Sequence, residues 1–553
     1  MWAMEAMEVT LIDRESVSGD ACGGFTAAAG WPARYRPAEL TPLISAVRQT
    51  VHVVRDRGTG QIGLAVGGRL ELGAGAGEAE WLGSAPPLYP EWLGDRTFCE
   101  VHRVRYPYIA GAMANGIATA ELVVALARAG MLGFFGAAGL PFERVERELD
   151  AIAAALAGTG ATWGANLIHS PNEPELESAV ADLFIRRGVP CVSASAYMKL
   201  TAAVVRIAFR GVGVDGAGAV VRPRQVFAKV SRPETAVQFM RPPPLALLEA
   251  MVARAELTEE EAHLASRLPV SEDITVEADS GGHTDNRPLT AIFPTIVGVR
   301  DRVVAECGYV RPLRVGAAGG LGTPSAVAAA FGLGAAYVLT GSVNQAAVES
   351  GLSQEAKAML AAAGVADVGM APAADMFEMG VDVQVLKRGT LFAQRARSLY
   401  TLYSRCGGLE DLTAEEAAQL AGRVFGMPLD AVWEETRAFW RRRNPAELAR
   451  AEADPHHKMA LVFRWYLGKA SRWAIEGDAA RKLDYQLWCG PAMGAFNAWV
   501  AGSYLEPLEQ RSVVQIALNL LEGAAHVSRA QQLRTWGVPI PQEAFHFIPR
   551  RLR

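Results

Sequence analysis

Val315-Gly316-Ala317-Ala318-Gly319-Gly320-Leu321-Gly322-Thr323-Pro324 and Val338-Leu339-Thr340-Gly341-Ser342 are the two stretches on which the reading of the fold turns. Each is a short apolar run that breaks into glycine. The first leads straight to Thr323-Pro324, a capping residue followed by a first-turn proline. An apolar run ending in glycine and followed by a helix is one βα unit. Glycine lets the backbone approach an anion closely, and the N–H groups at a helix start supply donors. Turns after the seventh and eighth strands of a βα barrel commonly grip a phosphate; the alternative is that these glycines only make tight turns.

Working outward, the same unit recurs. Strand-like runs at Tyr108–Ala114, Gly133–Gly139, Thr162–Ile168, Cys191–Ala196, Phe227–Ser231 and Ile274–Ser280 precede Arg314–Ala318 and Ala336–Thr340, making eight. Between them Thr119–Ala129, Pro141–Leu156, Glu175–Arg187, Arg232–Met240 and Thr323–Phe331 have helical apolar spacing. Eight alternating units over residues 101–390 predict an α/β fold, a closed parallel (β/α)8 TIM barrel. A doubly wound open sheet is the alternative, and the lack of an amphipathic edge strand favours closure. A helical insertion, about residues 242–269, follows the fifth strand on the C-terminal face, as a lid, a partner surface or plain decoration. Residues 1–100 are turn-rich, and Val51–Asp56 with Gln61–Val66 predict a hairpin within a small N-terminal subdomain. Residues 391–553 read as a Trp-rich C-terminal helical domain, with helices at Ala414–Val424, Leu429–Arg443, Lys458–Leu467 and Arg511–Leu533. No flexible linker precedes it, so it is expected to pack on the barrel.

Half of the 553 residues are hydrophobic and 20% are charged, with a net charge of −5 and a pI of about 6.1. That balance argues against a nucleic-acid or anionic-membrane partner. No apolar run reaches the roughly 20 residues of a membrane span, and no signal-peptide pattern opens the chain. The six cysteines, Cys22, Cys99, Cys191, Cys307, Cys406 and Cys489, show no metal-ligand spacing. No metal is expected, and a reduced, cytoplasmic protein is the default.

Four further features bear on chemistry. Glu277-Ala278-Asp279-Ser280-Gly281-Gly282-His283 ends the sixth strand and puts a histidine on the catalytic rim after two glycines that open space for a ligand. His283 can switch protonation near neutral pH, or it can simply bond a neighbouring loop. Ala112 and Met113, on the first strand, either let a flat ring lie against the backbone or pack the core. Asn166 on the third strand either bonds a heterocycle edge or satisfies local backbone. Lys229 on the fifth strand has three readings: stabilising negative charge on a reduced flavin, forming a Schiff base, or making a structural ion pair.

Together, Gly111–Gly116, Gly164–Leu167, Glu277–His283, Ala318–Gly322 and Thr340–Ser342 resemble the nitronate monooxygenase (2-nitropropane dioxygenase-like) flavoenzymes. The fuller wording at Phe227–Glu234, Glu277–Pro288, Thr340–Gln345 and Tyr485–Gly494 is similar to the PfaD-type proteins, the trans-acting enoyl reductases of polyunsaturated fatty acid synthases and trans-acyltransferase polyketide synthases. The resemblance runs over roughly residues 50–535. It implies an FMN cofactor, a nicotinamide donor (NADPH) and an α,β-unsaturated thioester on an acyl carrier protein within synthase modules. It also implies that Gly319, Gly320, Gly341 and Ser342 hold the phosphate, with Asn344 and Gln345 behind them. Ala112, Met113, Asn166, Lys229, Gly281 and Gly282 would surround the cofactor, and His283 corresponds to the family's active-site histidine. In a reductase that histidine donates a proton or orients a water or the thioester carbonyl. No second G-x-G-x-x-G fingerprint is present, so donor and enoyl substrate would take turns at one cofactor face. A nitronate monooxygenase, a Schiff-base aldolase built on Lys229 and a non-catalytic scaffold subunit remain alternatives, and the oligomeric state, a homodimer included, stays open.

Overall fold

The computed structural model describes residues 23–28, 30–71, 76–171 and 173–553, so Cys22 lies outside the described residues. It divides into two compact units, residues 1–89 with 525–547, and residues 90–524 with 548–553.

In the first unit, Val51–Asp56 and Ile62–Val66 form the expected hairpin, with Val51 opposite Val66. It is the edge of a five-stranded antiparallel sheet completed by Ala79–Ala85, Gly24–Thr26 and Arg69–Glu71. Leu40, Leu43 and Ile44 of the helix Pro37–Ser45 pack on this sheet with Ala530, Leu533, Val538 and Ala544. Arg529 is fully buried there and donates to the carbonyls of Val47, Gln49 and Pro86.

The second unit is built on a closed parallel barrel of eight strands. These are β1 (Tyr108–Ala110), β2 (Leu132–Phe135), β3 (Gly164–Ile168), β4 (Cys191–Ser195), β5 (Gln225–Val230), β6 (Asp273–Glu277), β7 (Arg314–Ala318) and β8 (Val338–Thr340). All eight fall where the apolar runs predict. They form strands because nearly every position is buried, on one side by the ring of helices and on the other by the barrel interior. The helices follow the expected stretches: Ala120–Arg128, Phe142–Leu156, Pro174–Arg186, Pro233–Met240 and Pro324–Gly332. Thr119 and Thr323 cap two of them, each accepting a helix-start N–H at its hydroxyl. The insertion is two short helices, Leu245–Ala253 and Glu259–Ala265, the second opened by a Thr258–Glu261 capping box. It follows the helix Pro233–Met240 and leads into β6, so it lies at the N-terminal end of the strands, where Arg210 bonds Glu261 and Arg222 bonds the Pro269 carbonyl, and not on the C-terminal face where it was expected.

The barrel is filled at its base. The helix Arg96–His102 precedes β1 and inserts Phe98 and His102. Phe98 stacks on Tyr337 at 4.5 Å, and Phe227 meets both rings. Asp273, wholly buried, accepts two bonds from Arg314 (2.6 and 2.7 Å) and one from His102 (2.9 Å). Burial opposes the Asp273 carboxylate, but His102 and Arg314 outweigh it and hold its pKa well below the usual range. With the floor closed, ligand access is left to the C-terminal end.

After β8 the chain adds a hairpin, Val368–Pro372 and Asp382–Leu386, and Gly282–His283 pairs along its second strand. The helical region beyond packs Phe392, Phe425, Phe463 and Tyr466 around this hairpin. Leu429–Arg443 forms as expected, and Lys458–Leu467 lies inside the longer helix Pro455–Glu476. The expected helix Ala414–Val424 is α-helical only to Gln419 and continues as a π turn through Phe425.

Candidate functional site

Strand register gathers the singled-out residues on one rim. Ala318 pairs with Leu339, so the chain leaves β7 and β8 side by side at Gly319–Gly320 and Gly341–Ser342. Gly319 and Gly320 have φ of +90° and +72°, the left-handed region that favours glycine. A β-carbon on Gly319 would come within 2.7 Å of the Ala278 carbonyl carbon. On Gly320 or Gly341 it would meet nothing within 4 Å. The backbone N–H groups of Gly320 and Gly341 have no acceptor among the described residues. Two adjacent turns with open Cα faces and uncommitted donors make a cradle suited to an anion.

The segment Trp488–Ala492 backs this cradle. The Gly490 N–H donates to Ser342 Oγ at 3.1 Å, and Gln345 donates to the Trp488 carbonyl. Ser342 keeps its own hydroxyl proton free to donate. Asn344, fully buried, donates to Thr340 Oγ1 at 3.0 Å, and Thr340 also meets Tyr108 OH at 2.5 Å. Asn344 and Gln345 thus stiffen β8 and the tail. The smallness of Gly281 also belongs to this packing: a β-carbon there would lie 2.8 Å from the Cys489 nitrogen, and one on Gly490 would lie 2.8 Å from the Gly281 nitrogen. Gly281 therefore admits backbone instead of opening ligand space. Gly282, at φ +84°, turns the chain into the hairpin ladder. Cys489 is buried, which pushes its thiol up to about 12.

Period-two alternation explains the polar pair at the mouth. Phe227 points into the barrel, so Lys229 does too; Thr275 faces Lys229 in register, so Glu277 shares that face. Lys229 Nζ donates to Glu277 Oε1 at 2.7 Å, and Ser280 Oγ donates to the same oxygen at 3.0 Å. The partner of Lys229 is a carboxylate, whereas Schiff-base lysines rely on an apolar pocket or a second cation. Asn166 Oδ1 accepts from the N–H groups of Ala137 and Ala138 at 2.9 and 3.3 Å, which orders the loop after β2. Met113 is buried among core side chains, and Ala112 is half-buried beside the barrel interior.

His283 is half-buried, and its Nε2 lies 3.2 Å from Asp375 Oδ1 in the hairpin turn. Burial works against the imidazolium, but the bond and charge of Asp375 outweigh it. Lys229 also opposes it and Glu277 supports it, and the net pKa is raised above 6.5. Next to it, Asp285 is clamped by Arg232 (2.8 and 2.9 Å) and Ser231 (2.6 Å), led by Arg232, and its pKa falls to about 2. A groove of about 670 Å³ lies against the Arg232 side of this clamp, lined also by Glu234, Arg287, Ile292 and Thr295, and it includes neither the glycine turns nor Lys229, Glu277 or His283.

Sequence reasoning missed Glu277, Asp375 and the tail contacts. Glu277 was reachable by alternation from Lys229; Gly490 lies in the quoted stretch Tyr485–Gly494, but nothing local placed it against the rim, and Asp375 carries no local signal.

The helical region at residues 406–485 matches a family model described as acyl-carrier-protein S-malonyltransferase, inserted helical domain. Over 449 residues the chain is 48% identical to a polyunsaturated fatty acid synthase subunit of Thraustochytrium sp., covering 80% of this chain and 30% of that protein. Over 435 residues it is 42% identical to the polyketide biosynthesis protein PksE of Bacillus subtilis, covering 79% of this chain and 56% of that one. The chain thus spans less than two thirds of either curated relative. It superposes on the crystal structure of the enoyl reductase domain of MlnA, from the macrolactin biosynthesis cluster of Bacillus amyloliquefaciens, with a TM-score of 0.77 and 38% identity, covering 80% of this chain and 99% of that domain.

The fold and rim define a TIM barrel whose polar groups gather on its C-terminal face, backed by a helical region. Within that class, the chain belongs to the PfaD-type enoyl reductase family, the family of the MlnA domain. Among the described residues, no helix is long and apolar enough to cross a membrane, and no cluster of metal-ligating side chains occurs.

Proposed function

We propose that this chain is an FMN-dependent enoyl reductase that uses NADPH to reduce the α,β double bond of enoyl thioesters carried on an acyl carrier protein, within a polyunsaturated fatty acid or polyketide synthase. The observation that carries the reading is the open double-glycine cradle at Gly320 and Gly341, on a chain that matches an enoyl reductase domain over 99% of its length. Gly319, Gly320, Gly341 and Ser342 would hold the FMN phosphate, with Ala112, Met113, Asn166 and Gly282 beside the rest of the cofactor. FMN supplies hydride transfer between the nicotinamide and the β-carbon when bound. The chain's own residues orient the reactants. Lys229, braced by Glu277 and Ser280, places a cation where negative charge develops at the barrel mouth. His283 sits on the same rim as the group able to move a proton.

The visible spectrum of the purified protein tests the first step, since bound oxidised FMN absorbs near ~450 nm. Anaerobic mixing with NADPH then tests the second. Rapid bleaching, followed by recovery on adding an enoyl thioester on an acyl carrier protein, is the expected result. A protein that binds FMN but is bleached by neither NADPH nor NADH overturns the reading. A colourless protein that borohydride links covalently to a carbonyl substrate at Lys229 overturns it in favour of the aldolase.

A further inference from the structure

We propose that Asp375 is a positioning residue for His283, holding its Nε2 so that the Nδ1–H of the imidazolium delivers the proton that completes reduction of the enoyl thioester. The proposal rests on the enoyl reductase reading above.

One element fixes both the backbone and the ring of His283. Gly282 and His283 ladder onto Gln384 and Val383, and the other strand of that hairpin is Val368–Pro372. Asp375 lies in the turn joining the two strands, so the segment that pins the His283 main chain also carries the carboxylate bonded to its side chain at 3.2 Å. With Nε2 engaged, Nδ1 has no partner among the described residues. The bond at one ring nitrogen thereby leaves the other as the one open to a ligand.

The charges around the ring come from three elements. Asp375 approaches from the hairpin turn, Lys229 from β5 and Glu277 from β6. Lys229 and Glu277 are ion-paired to each other, so their opposing effects on His283 largely offset. Arg464, on the helix Pro455–Glu476, acts on Asp375 and helps keep it ionised, as does His283 itself. Asp285, two residues on, is tied to Arg232 and Ser231. Asp375 is thus the uncancelled charge favouring the imidazolium, and it carries the His283 pKa above its ordinary value despite burial.

The chemistry then balances. Reduction of the double bond takes one hydride at the β-carbon, drawn from NADPH, and one proton at the α-carbon. The Nδ1–H bond breaks as the α-carbon–hydrogen bond forms, the imidazolium becomes neutral imidazole, and water returns a proton to it between turnovers. An acid of this kind must be protonated to act, so its alkaline limit follows the His283 pKa.

The test is Asp375→Asn in the full-length protein, with Asp375→Glu as the conservative rescue. The His283 ring resonance is followed by NMR across pH, and the pH dependence of kcat is measured with a carrier-bound enoyl thioester. Asp375→Asn is expected to move the NMR midpoint to lower pH and the alkaline limb of kcat with it. Asp375→Glu is expected to restore both in part. An unchanged NMR midpoint overturns the positioning role. A shifted midpoint with an unmoved kcat limb overturns proton delivery by His283. Absence of any enoyl reduction by the wild type would instead sink the enoyl reductase reading, while the NMR midpoint would still decide whether Asp375 governs His283.

Discussion

Gly341→Ala separates ligand space from folding more cleanly than any other change in this chain. Gly341 has a φ of −125°, and a methyl group there would meet no atom within 4 Å. In the flavin-free protein no neighbouring atom opposes the substitution, but ψ is −74°, which takes the pair outside the main allowed regions, so a backbone cost of about 1 kcal/mol is expected, offset in part by the lost chain entropy of the unfolded state. Gly320→Ala also meets open space but sits at φ +72°, so it should cost about 1–2 kcal/mol of left-handed strain. Gly316→Ala is the opposite control: its methyl would run into the buried Tyr337 ring and should destabilise by about 1–3 kcal/mol. Bound phosphate reverses the ranking. A backbone N–H donated to a charged acceptor contributes about 1.5–3 kcal/mol, and a methyl that holds the anion away forfeits it. At ~1.4 kcal/mol per factor of ten, each lost bond weakens FMN binding about 10- to 150-fold. Riboflavin, which lacks the phosphate, is the internal reference. Flavin-fluorescence titrations of both ligands, with thermal melts of the flavin-free proteins, give the two readouts. Gly341→Ala should lower Tm only slightly, lose FMN affinity and leave riboflavin affinity nearly unchanged. An unaltered FMN Kd in the folded variant would refute the assignment of this turn to the phosphate.

Three further outcomes follow from the geometry. Lys229→Met should destabilise by about 1–3 kcal/mol in thermal melts, because the largely buried Glu277 carboxylate loses its cation; flavin reduction by NADPH should slow about 100-fold in stopped flow through loss of the cation at the developing charge. Asp273→Asn should destabilise by about 3–5 kcal/mol in denaturant titrations, because the buried Arg314 loses its counter-charge. The folded Asp273 pKa is depressed, so in the wild type this contribution is present above the unfolded value of about 3.9 and fades as pH falls toward the folded value; the variant should lose that part of its acid dependence. Gly490→Ala places a β-carbon 2.8 Å from the Gly281 nitrogen, so FMN affinity and the hydrogen-exchange protection of residues 488–494 should fall together, and protection lost without any change in affinity would separate the tail from the cradle.

The barrel was legible because each strand is buried on both faces and so reads as an uninterrupted apolar run. Arg314–Ala318 has the bounds its composition predicts. The charges inside those strands carried no such signal. Arg314 reads as a strand end and Asp273 stands just before the expected run Ile274–Ser280, yet they form the buried floor with His102, a residue outside the repeating units. The two glycine turns proposed for the phosphate were legible as βα turns because glycine at a strand end followed by a helix start marks such a connection. His283 was legible as a rim residue, but its chemistry was not, because the deciding carboxylate lies 92 positions away in a hairpin that follows the last barrel strand. Local pattern fixes which residues share a strand face; it says nothing of which distant loop will lie against them.

Glycine illustrates why motif reading alone stops short here. At Gly316 the missing side chain makes room for the Tyr337 ring, and at Gly281 and Gly490 it lets two backbones touch. At Gly320 and Gly341, by contrast, it leaves open space. All of these stand in the same rim motifs and look alike in sequence; what a β-carbon would meet tells them apart. The backbone contact at Gly281 and Gly490 then has a consequence for the others. It holds the Gly490 N–H on Ser342 Oγ and the Trp488 carbonyl on Gln345, so the segment following the matched helical region completes the wall behind the open glycines. A barrel cut after β8 would keep Gly320 and Gly341 but lose that wall, as well as the hairpin that carries Asp375 to His283. The helical region and the rim are on this account one site, which explains why the resemblance to the family runs unbroken from the barrel into Tyr485–Gly494.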